Sequence, residues 1–392
     1  MIDPLYNGIL VIVVVLWMLA LRAGRISGLV SGLKRFKVVL TVLLWAGFLT
    51  FLIVFVTNFQ YFDDIHDIDE AVETAVISLD SDINPYEEYV VPRFKSKYVP
   101  YPDWTLGPYN YMPLDLVTYY AVYTVAGEAG SPYWFVAVNL LFSGAALAVL
   151  RRIVEVPWLP YIPFAGIVML FYSFDNASLT LLLMVASVYA LERSRWHPEL
   201  LAVILMGMAA MTKIYAAIPF LVLLLYLLQE KVALRDLQKF GEVVTATAIC
   251  GVMALVLMAP FGISSVMDAA IFFHTSEELR LGTSTGGTLL SEIAIDSQYF
   301  GLIAAAVVVC AIAIGLFLRN VNDRVLLVIL AFLTVSVKSS LAPLTVAGIF
   351  LVLRMRQLAD EQLPEYESSS PSSLKDEGHV DKAPNPSLTR AE

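Results

Sequence analysis

Apolar runs of near-membrane length recur along most of this chain, and its basic residues collect in short clusters between them. Ile9–Leu21, Val38–Val56 and Val243–Met258 contain no charged residue. Backbone in such runs must satisfy its own hydrogen bonds in lipid, and a helix does so within the segment. Composition agrees: 58% of the 392 residues are hydrophobic and 15% are charged, where a soluble domain carries about a quarter. The expectation is an all-α, polytopic transmembrane helical bundle.

The crossings are expected at residues 8–22, 37–58, 132–150, 157–172, 176–191, 198–212, 214–228, 241–259, 299–318, 324–338 and 340–354. Basic clusters lie at Arg22/Arg25/Lys34/Arg35/Lys37, Arg151/Arg152, Arg193/Arg195, Lys231/Arg235/Lys239, Arg319/Arg324 and Arg354/Arg356. About eleven crossings, with the N-terminus outside, put every cluster in the cytoplasm, as the positive-inside rule requires. The first run has no basic segment before it and no cleavage site after it, so it reads as a retained helix. The stretch "PLDLVTYYAVYTVAG" (113–127) is apolar enough for another crossing. Counting it would invert all later loops, so it is assigned as a short re-entrant or interfacial helix, with a hidden hairpin elsewhere as the alternative.

Two large external loops result, 59–112 and 260–298, each expected to carry an amphipathic surface helix. In the first, Ile68, Ala71, Val72, Ala75 and Leu79 recur at helical spacing between Asp67, Asp69, Glu70 and Glu73. Such a pattern describes a helix lying on a membrane surface. The transmembrane domain is expected over 1–358, followed by an acidic, Ser- and Pro-rich cytoplasmic tail, 359–392, that reads as disordered. The net charge of −10 is concentrated: residues 59–112 hold eleven acids against three bases. A nucleic-acid role is excluded on that balance. Cys250 and Cys310 both fall in apolar helices and are expected to be packing residues.

Several residues could carry chemistry at the outer face. Asp67 and Asp69 stand at the start of the amphipathic helix, where either could serve as a general base toward an acceptor hydroxyl, or simply face water. The triplets "DID" and "DSD" match a metal-nucleotide pattern, but no neighbouring His or Cys completes a shell, and no metal or other cofactor is assigned. The aromatics of the first loop, including Tyr86, Tyr109 and Tyr111, suit either an aromatic belt or stacking on sugar rings. Lys213, in "AAMTKIYAAIPF", is a cation at an outer helix turn, where it either snorkels to headgroups or binds a phosphate. Asp175-Asn176 forms another polar outer turn, assigned with the tyrosines to sugar or acceptor. In the second loop His274 and Arg280 could assist at a phosphate. The "LGTSTGG" stretch lacks the ending of a P-loop.

An Asp before an amphipathic helix, then Asn84-Pro85-Tyr86, then Tyr109-Asn110-Tyr111-Met112-Pro113 leading back to the membrane, resembles the first external loop of the C superfamily of polyprenyl-phosphate-sugar-dependent glycosyltransferases. "MTKIYAAIPFLVLLL" and "FFHTSEEL" resemble segments of its mannosyltransferase branch related to family 87. The likeness spans most of residues 60–300. The chain departs from the pattern in offering two acids, Asp67 and Asp69, in place of one, and Asp82-Ile83 where a glycine is common. The resemblance implies transfer of a sugar, most often mannose, from a dolichyl- or undecaprenyl-phosphate monosaccharide to a lipid-linked glycan or other external acceptor, at the cell membrane. A transporter or flippase of lipid-linked saccharides is the rival. It would be expected to show repeated halves with mid-membrane ionisable groups, and no internal repeat is visible.

Overall fold

A computed structural model of the chain describes residues 31–58, 68–88, 91–93, 105–126, 133–173, 175–270, 297–335 and 341–361. Within them the chain is helical: thirteen α-helices, two short 3-10 turns and one small ribbon. The helices are α1 (Ser31–Thr57), α2 (Ile68–Asp80), α3 (Pro113–Ala126), α4 (Tyr133–Val154), α5 (Trp158–Phe171), α6 (Ala177–Arg193) and α7 (Pro198–Ala210). They continue as α8 (Ala217–Leu234), α9 (Leu237–Met258), α10 (Ile263–Ala270), α11 (Ser297–Gly315), α12 (Val321–Val335) and α13 (Leu341–Glu361). Strands β1 (Val91–Arg93) and β2 (Thr105–Gly107) pair antiparallel, with Pro92 opposite Leu106.

Local chemistry sets the boundaries. Thr57 Oγ1 bonds the Ile53 carbonyl at 2.7 Å and Asn58 Nδ2 that of Val54 at 2.9 Å, closing the last turn of α1. Asp236 caps α9 by accepting from the Lys239 amide at 3.1 Å, the usual service of an N-cap carboxylate. Arg235 ends α8 in the left-handed region, at φ 55°, and returns its amide to the Lys231 and Val232 carbonyls, closing the helix as a left-handed cap does.

Three segments are long and apolar enough to cross a membrane: Tyr133–Val154, Ile214–Leu234 and Leu237–Phe261. Only 17% of the last is buried inside the protein. Val252, Leu255 and Val256 on α9, and Val42, Ile53 and Val56 on α1, stand exposed, and contiguous apolar surface of that kind calls for lipid. Apart from 8–22, which lies outside the described residues, each expected crossing coincides with a helix.

Two apolar cores form. The larger unites α4–α9 with α11–α13 through aliphatic side chains such as Leu147, Val203, Leu227, Val328 and Leu353. Gly207 lets α7 approach α9 closely, because a Cβ there would lie 2.4 Å from Cys250 Sγ. Cys250 is buried as expected, whereas Cys310, expected to pack likewise, lies exposed on α11. The smaller core joins α2, α3 and α10 with Tyr86, Tyr109 and Phe261. Its α2 contribution, Ala71, Val72, Ala75 and Val76, follows the expected amphipathic pattern, although the buried stripe includes Val76 and leaves Leu79 half-buried.

Among the described residues, the basic clusters from Arg151/Arg152 onward gather at one end of the large core. Arg354 pairs with Asp323 at 2.9 Å, Arg356 with Glu192 at 3.0 Å and Lys239 with Glu199 at 3.1 Å. The smaller core covers the other end, where α7 runs into α8.

Candidate functional site

The site begins at the turn between α7 and α8. Helix α7 stops at Ala210, and the Met211 amide closes back on the Gly207 and Met208 carbonyls. Thr212 Oγ1 lies 2.6 Å from the Ala209 carbonyl and 2.7 Å from Thr180 Oγ1 of α6. The freed carbonyls of this turn are taken up by the end of the first loop: the Met112 amide bonds Thr212 O at 3.2 Å and the Leu114 amide bonds Met211 O at 3.1 Å. Loop and turn are therefore one unit, and it presents Lys213 in extended backbone just before a 3-10 turn.

Lys213 is 6% exposed. Its Nζ donates to Asn176 Oδ1 and stands 3.4 Å from the centre of the Tyr111 ring. A cation over an aromatic face is attracted to the ring's negative quadrupole, more so when desolvated. The headgroup-snorkelling alternative is thereby corrected: the amine points into protein.

Asn176 links Lys213 to a carboxylate. Its Nδ2 donates to Asp115 Oδ2 at 2.6 Å, and the Tyr109 hydroxyl donates to the same oxygen at 2.6 Å. An amide with a cation on its oxygen and a carboxylate on its nitrogen has one usable orientation. Asp115 is fully buried in the first turn of α3, and its Oδ1 has no hydrogen-bond partner among the described residues. Burial pushes the Asp115 carboxyl up to about 7, against the opposing pull of Lys213 and of its two hydrogen bonds.

The Asn-Pro-Tyr turn supports this group. Asn84 Nδ2 bonds the Phe261 carbonyl at 2.8 Å, which fastens the first loop to the start of the second. The Tyr109 amide bonds the Pro85 carbonyl at 2.6 Å, and the Tyr86 hydroxyl bonds the Tyr111 carbonyl at 2.9 Å. Burial, and then the charge of Asp115, raises the Tyr86 and Tyr109 hydroxyls well above their ordinary value. Both stay protonated and remain donors.

Six residues singled out in the sequence thus come together: Tyr86, Tyr109, Tyr111, Asp175, Asn176 and Lys213. Their parts differ from expectation. Tyr86 and Tyr109 are enclosed and brace the site, so neither ring offers a face for stacking on a sugar; Tyr111 is half-buried. Asp175 turns to its own helix, accepting from the Ala177 amide at 2.8 Å. Asp67, His274 and Arg280 lie outside the described residues. The backbone of Asp69 belongs to the first turn of α2, which starts at Ile68.

Asp115 was not among the expected site residues. Its signal was a single carboxylate inside the apolar stretch 113–127. Asn139 is another: buried in α4, it accepts from the Tyr119 hydroxyl and from Ser178 Oγ, joining α3, α4 and α6 behind the site. Among the described residues no group of His, Cys, Asp and Glu is placed to hold a metal ion. No protein-family model, curated protein or solved structure matches the chain.

Proposed function

We propose that the chain is a membrane glycosyltransferase of the C-superfamily kind, moving a sugar, with mannose the first candidate, from a polyprenyl- or dolichyl-phosphate monosaccharide to an external lipid-linked glycan or other acceptor. The observation that carries the reading is the buried Lys213 amine, held by Asn176 and Tyr111 beside Asp115, at the end of the bundle opposite the basic clusters. Ionisable groups at membrane depth are costly and are kept for partners or function. A cation fixed at the outer end of an apolar bundle suits a lipid phosphate, whose chain stays in the membrane while its head reaches the loops.

In the reaction proposed, the acceptor hydroxyl attacks the anomeric carbon as the bond from that carbon to the phosphate oxygen breaks. The electron pair leaves with the lipid phosphate, and Lys213 offsets the charge that develops there. The hydroxyl proton passes to a carboxylate, Asp67 or Asp69, at the start of α2. The anomeric centre inverts in this single displacement, through a transition state with oxocarbenium character. Asn176, Asp115 and Tyr109 are positioning residues: they aim the amine and keep Tyr111 against it. His274 and Arg280 are assigned to the same phosphate. About eleven crossings, with loops 59–112 and 260–298 outside, complete the topology proposed.

Purified protein in proteoliposomes, given dolichyl-phosphate mannose and lipid-linked glycan acceptors, should form mannosylated acceptor and release dolichyl phosphate in equal amounts. Release without glycosylated acceptor, or neither product with any polyprenyl-phosphate hexose, would refute the reading. Movement of intact lipid-linked saccharide across the bilayer without transfer would establish the flippase alternative.

A further inference from the structure

At the basic end of the bundle, two adjacent arginines stand without counter-charge at the end of a membrane-length helix. Helix α4 is long and apolar enough to cross a membrane, and Arg151 and Arg152 occupy its last turn. That turn therefore lies at headgroup level. The Glu155 amide bonds the Arg151 carbonyl at 2.9 Å, and Glu155 itself takes the left-handed region, at φ 54°. The sharp corner brings Trp158, the first residue of α5, back against Arg151: the guanidinium carbon lies 3.5 Å from the centre of the indole ring. The Tyr161 hydroxyl donates to the Leu147 carbonyl across the same corner.

Several cations at this end are neutralised by the protein: Arg193 by Glu155, Arg354 by Asp323 and Arg356 by Glu192. Arg151 and Arg152 form no ion pair among the described residues. Glu155 is the one carboxylate between positions 151 and 162, and Arg193 takes it. Two positive charges are left at the corner. Arg151 Nε is enclosed without a partner, whereas its two terminal nitrogens are not enclosed in that way and have no acceptor among the described residues. Stacking on the ring fixes the plane of the guanidinium, and its paired donors match the oxygens of a phosphate.

The surface beside these charges is apolar. Trp158 is 56% exposed, and Leu159 and Ile162 on the same helix are exposed with it. Pro163 has no N–H to offer the Leu159 carbonyl, and Trp45 Nε1 of α1 takes that carbonyl at 2.9 Å. Val42, one turn before Trp45, is exposed as well. Unpaired arginines at headgroup level above an apolar face suit a phospholipid, phosphate on the cations and acyl chains on the face. A zwitterionic lipid would bring its own cation to a corner that already holds two, so a net anionic headgroup is the complementary one.

We propose that Arg151, Arg152 and Trp158 form a binding site for one anionic phospholipid of the adjoining leaflet, with its phosphate on the Arg151 guanidinium. The site goes beyond the transfer reaction proposed above and uses none of the residues assigned to it.

Native mass spectrometry of the full chain in a non-ionic detergent tests the proposal with dioleoyl phosphatidylglycerol, dioleoyl phosphatidylcholine and glycerol 3-phosphate. One phosphatidylglycerol should bind saturably, about tenfold or more tighter than phosphatidylcholine, the scale of two arginines at a membrane surface. Glycerol 3-phosphate at the same concentration should not displace it. Arg151→Gln should remove about fivefold or more of the preference, and Trp158→Leu, which keeps apolar surface but loses the ring, should reduce it too. Arg152→Gln, at an exposed position, should do the same while leaving the stack on Trp158 intact. Arg319→Gln, an exposed arginine at the turn between α11 and α12, should leave the preference unchanged. Equal binding of the two lipids, an unchanged preference in Arg151→Gln and Arg152→Gln, or an equal loss in Arg319→Gln would overturn the site. Displacement by glycerol 3-phosphate would make a free anion the ligand and overturn the lipid.

Discussion

Lys213 and Lys231 are equally buried, each 6% exposed, at opposite ends of one helix: Lys213 stands just before its first turn and Lys231 in its last. Their surroundings differ in kind. Lys231 meets two carboxylates directly, Glu199 at 3.0 Å and Glu230 at 3.1 Å, and Glu199 in turn holds Lys239. Lys213 meets an amide oxygen and an aromatic face, and the Asp115 carboxylate acts on it through Asn176. The inner lysine is part of a closed ion-pair arrangement that ties α7, α8 and α9 together. At Lys213, by contrast, Asn176 stands between the amine and the Asp115 carboxylate. Similar burial therefore takes different meanings under the function proposed: Lys231 holds helices together, and Lys213 is assigned to the lipid phosphate.

The largest expected effect breaks the outer arrangement. Asn176→Ala removes hydrogen bonds to two buried charged groups, each worth about 1.5–3 kcal/mol, so a loss of roughly 3–6 kcal/mol is expected. Thermal unfolding of the purified protein measures it, and a Tm near wild type would mean that Asn176 is not the link. Lys231→Met comes next. Removing one member of a buried pair costs about 3–5 kcal/mol, and the lower figure is expected because Lys239 stays on Glu199. The same unfolding assay applies, with sugar transfer retained.

A pH titration separates the two ends further. Asp115 sits at the start of α3, which is assigned outside the crossings. Folded, it releases its proton near pH 7, whereas its ordinary value is 3.8. Between those values the folded state holds a proton that the unfolded state lacks, so stability falls as pH rises and levels off above about 7. Wild type should lose Tm from about pH 4 to about pH 7 relative to Asp115→Asn, and parallel curves would remove Asp115 as the cause. Tyr109→Phe is the smallest change. It deletes one donor to Asp115 and should cost about 1–2 kcal/mol, extending the upper end of the decline to higher pH because the lost hydrogen bond favoured the ionised carboxylate.

The helices were readable because burial in lipid leaves an uninterrupted apolar run, and α2 because its apolar residues keep helical spacing. Lys213 and Asn176 were readable because polar groups at outer turns interrupt that grammar. Asp115 was not: its partner Asn176 lies 61 residues away, and no periodicity encodes a contact of that range. The tyrosines show the same gap. Sequence placed Tyr86 and Tyr109 in an aromatic loop at the membrane, but whether a ring faces a ligand or braces a neighbour depends on how the loop docks. That docking is set by Asn84 on Phe261 and by Tyr109 on Pro85.

The most direct test of the account compares Lys213→Met with Lys231→Met in one assay: mannose transfer from dolichyl-phosphate mannose in proteoliposomes, at matched amounts of folded protein. Loss of a positioned charge at a developing anion costs about 10²–10³-fold in rate. The account predicts a loss on that scale for Lys213→Met and turnover within a few-fold of wild type for Lys231→Met. Equal turnover in wild type and Lys213→Met would contradict it, and would leave the outer lysine as structural as the inner one.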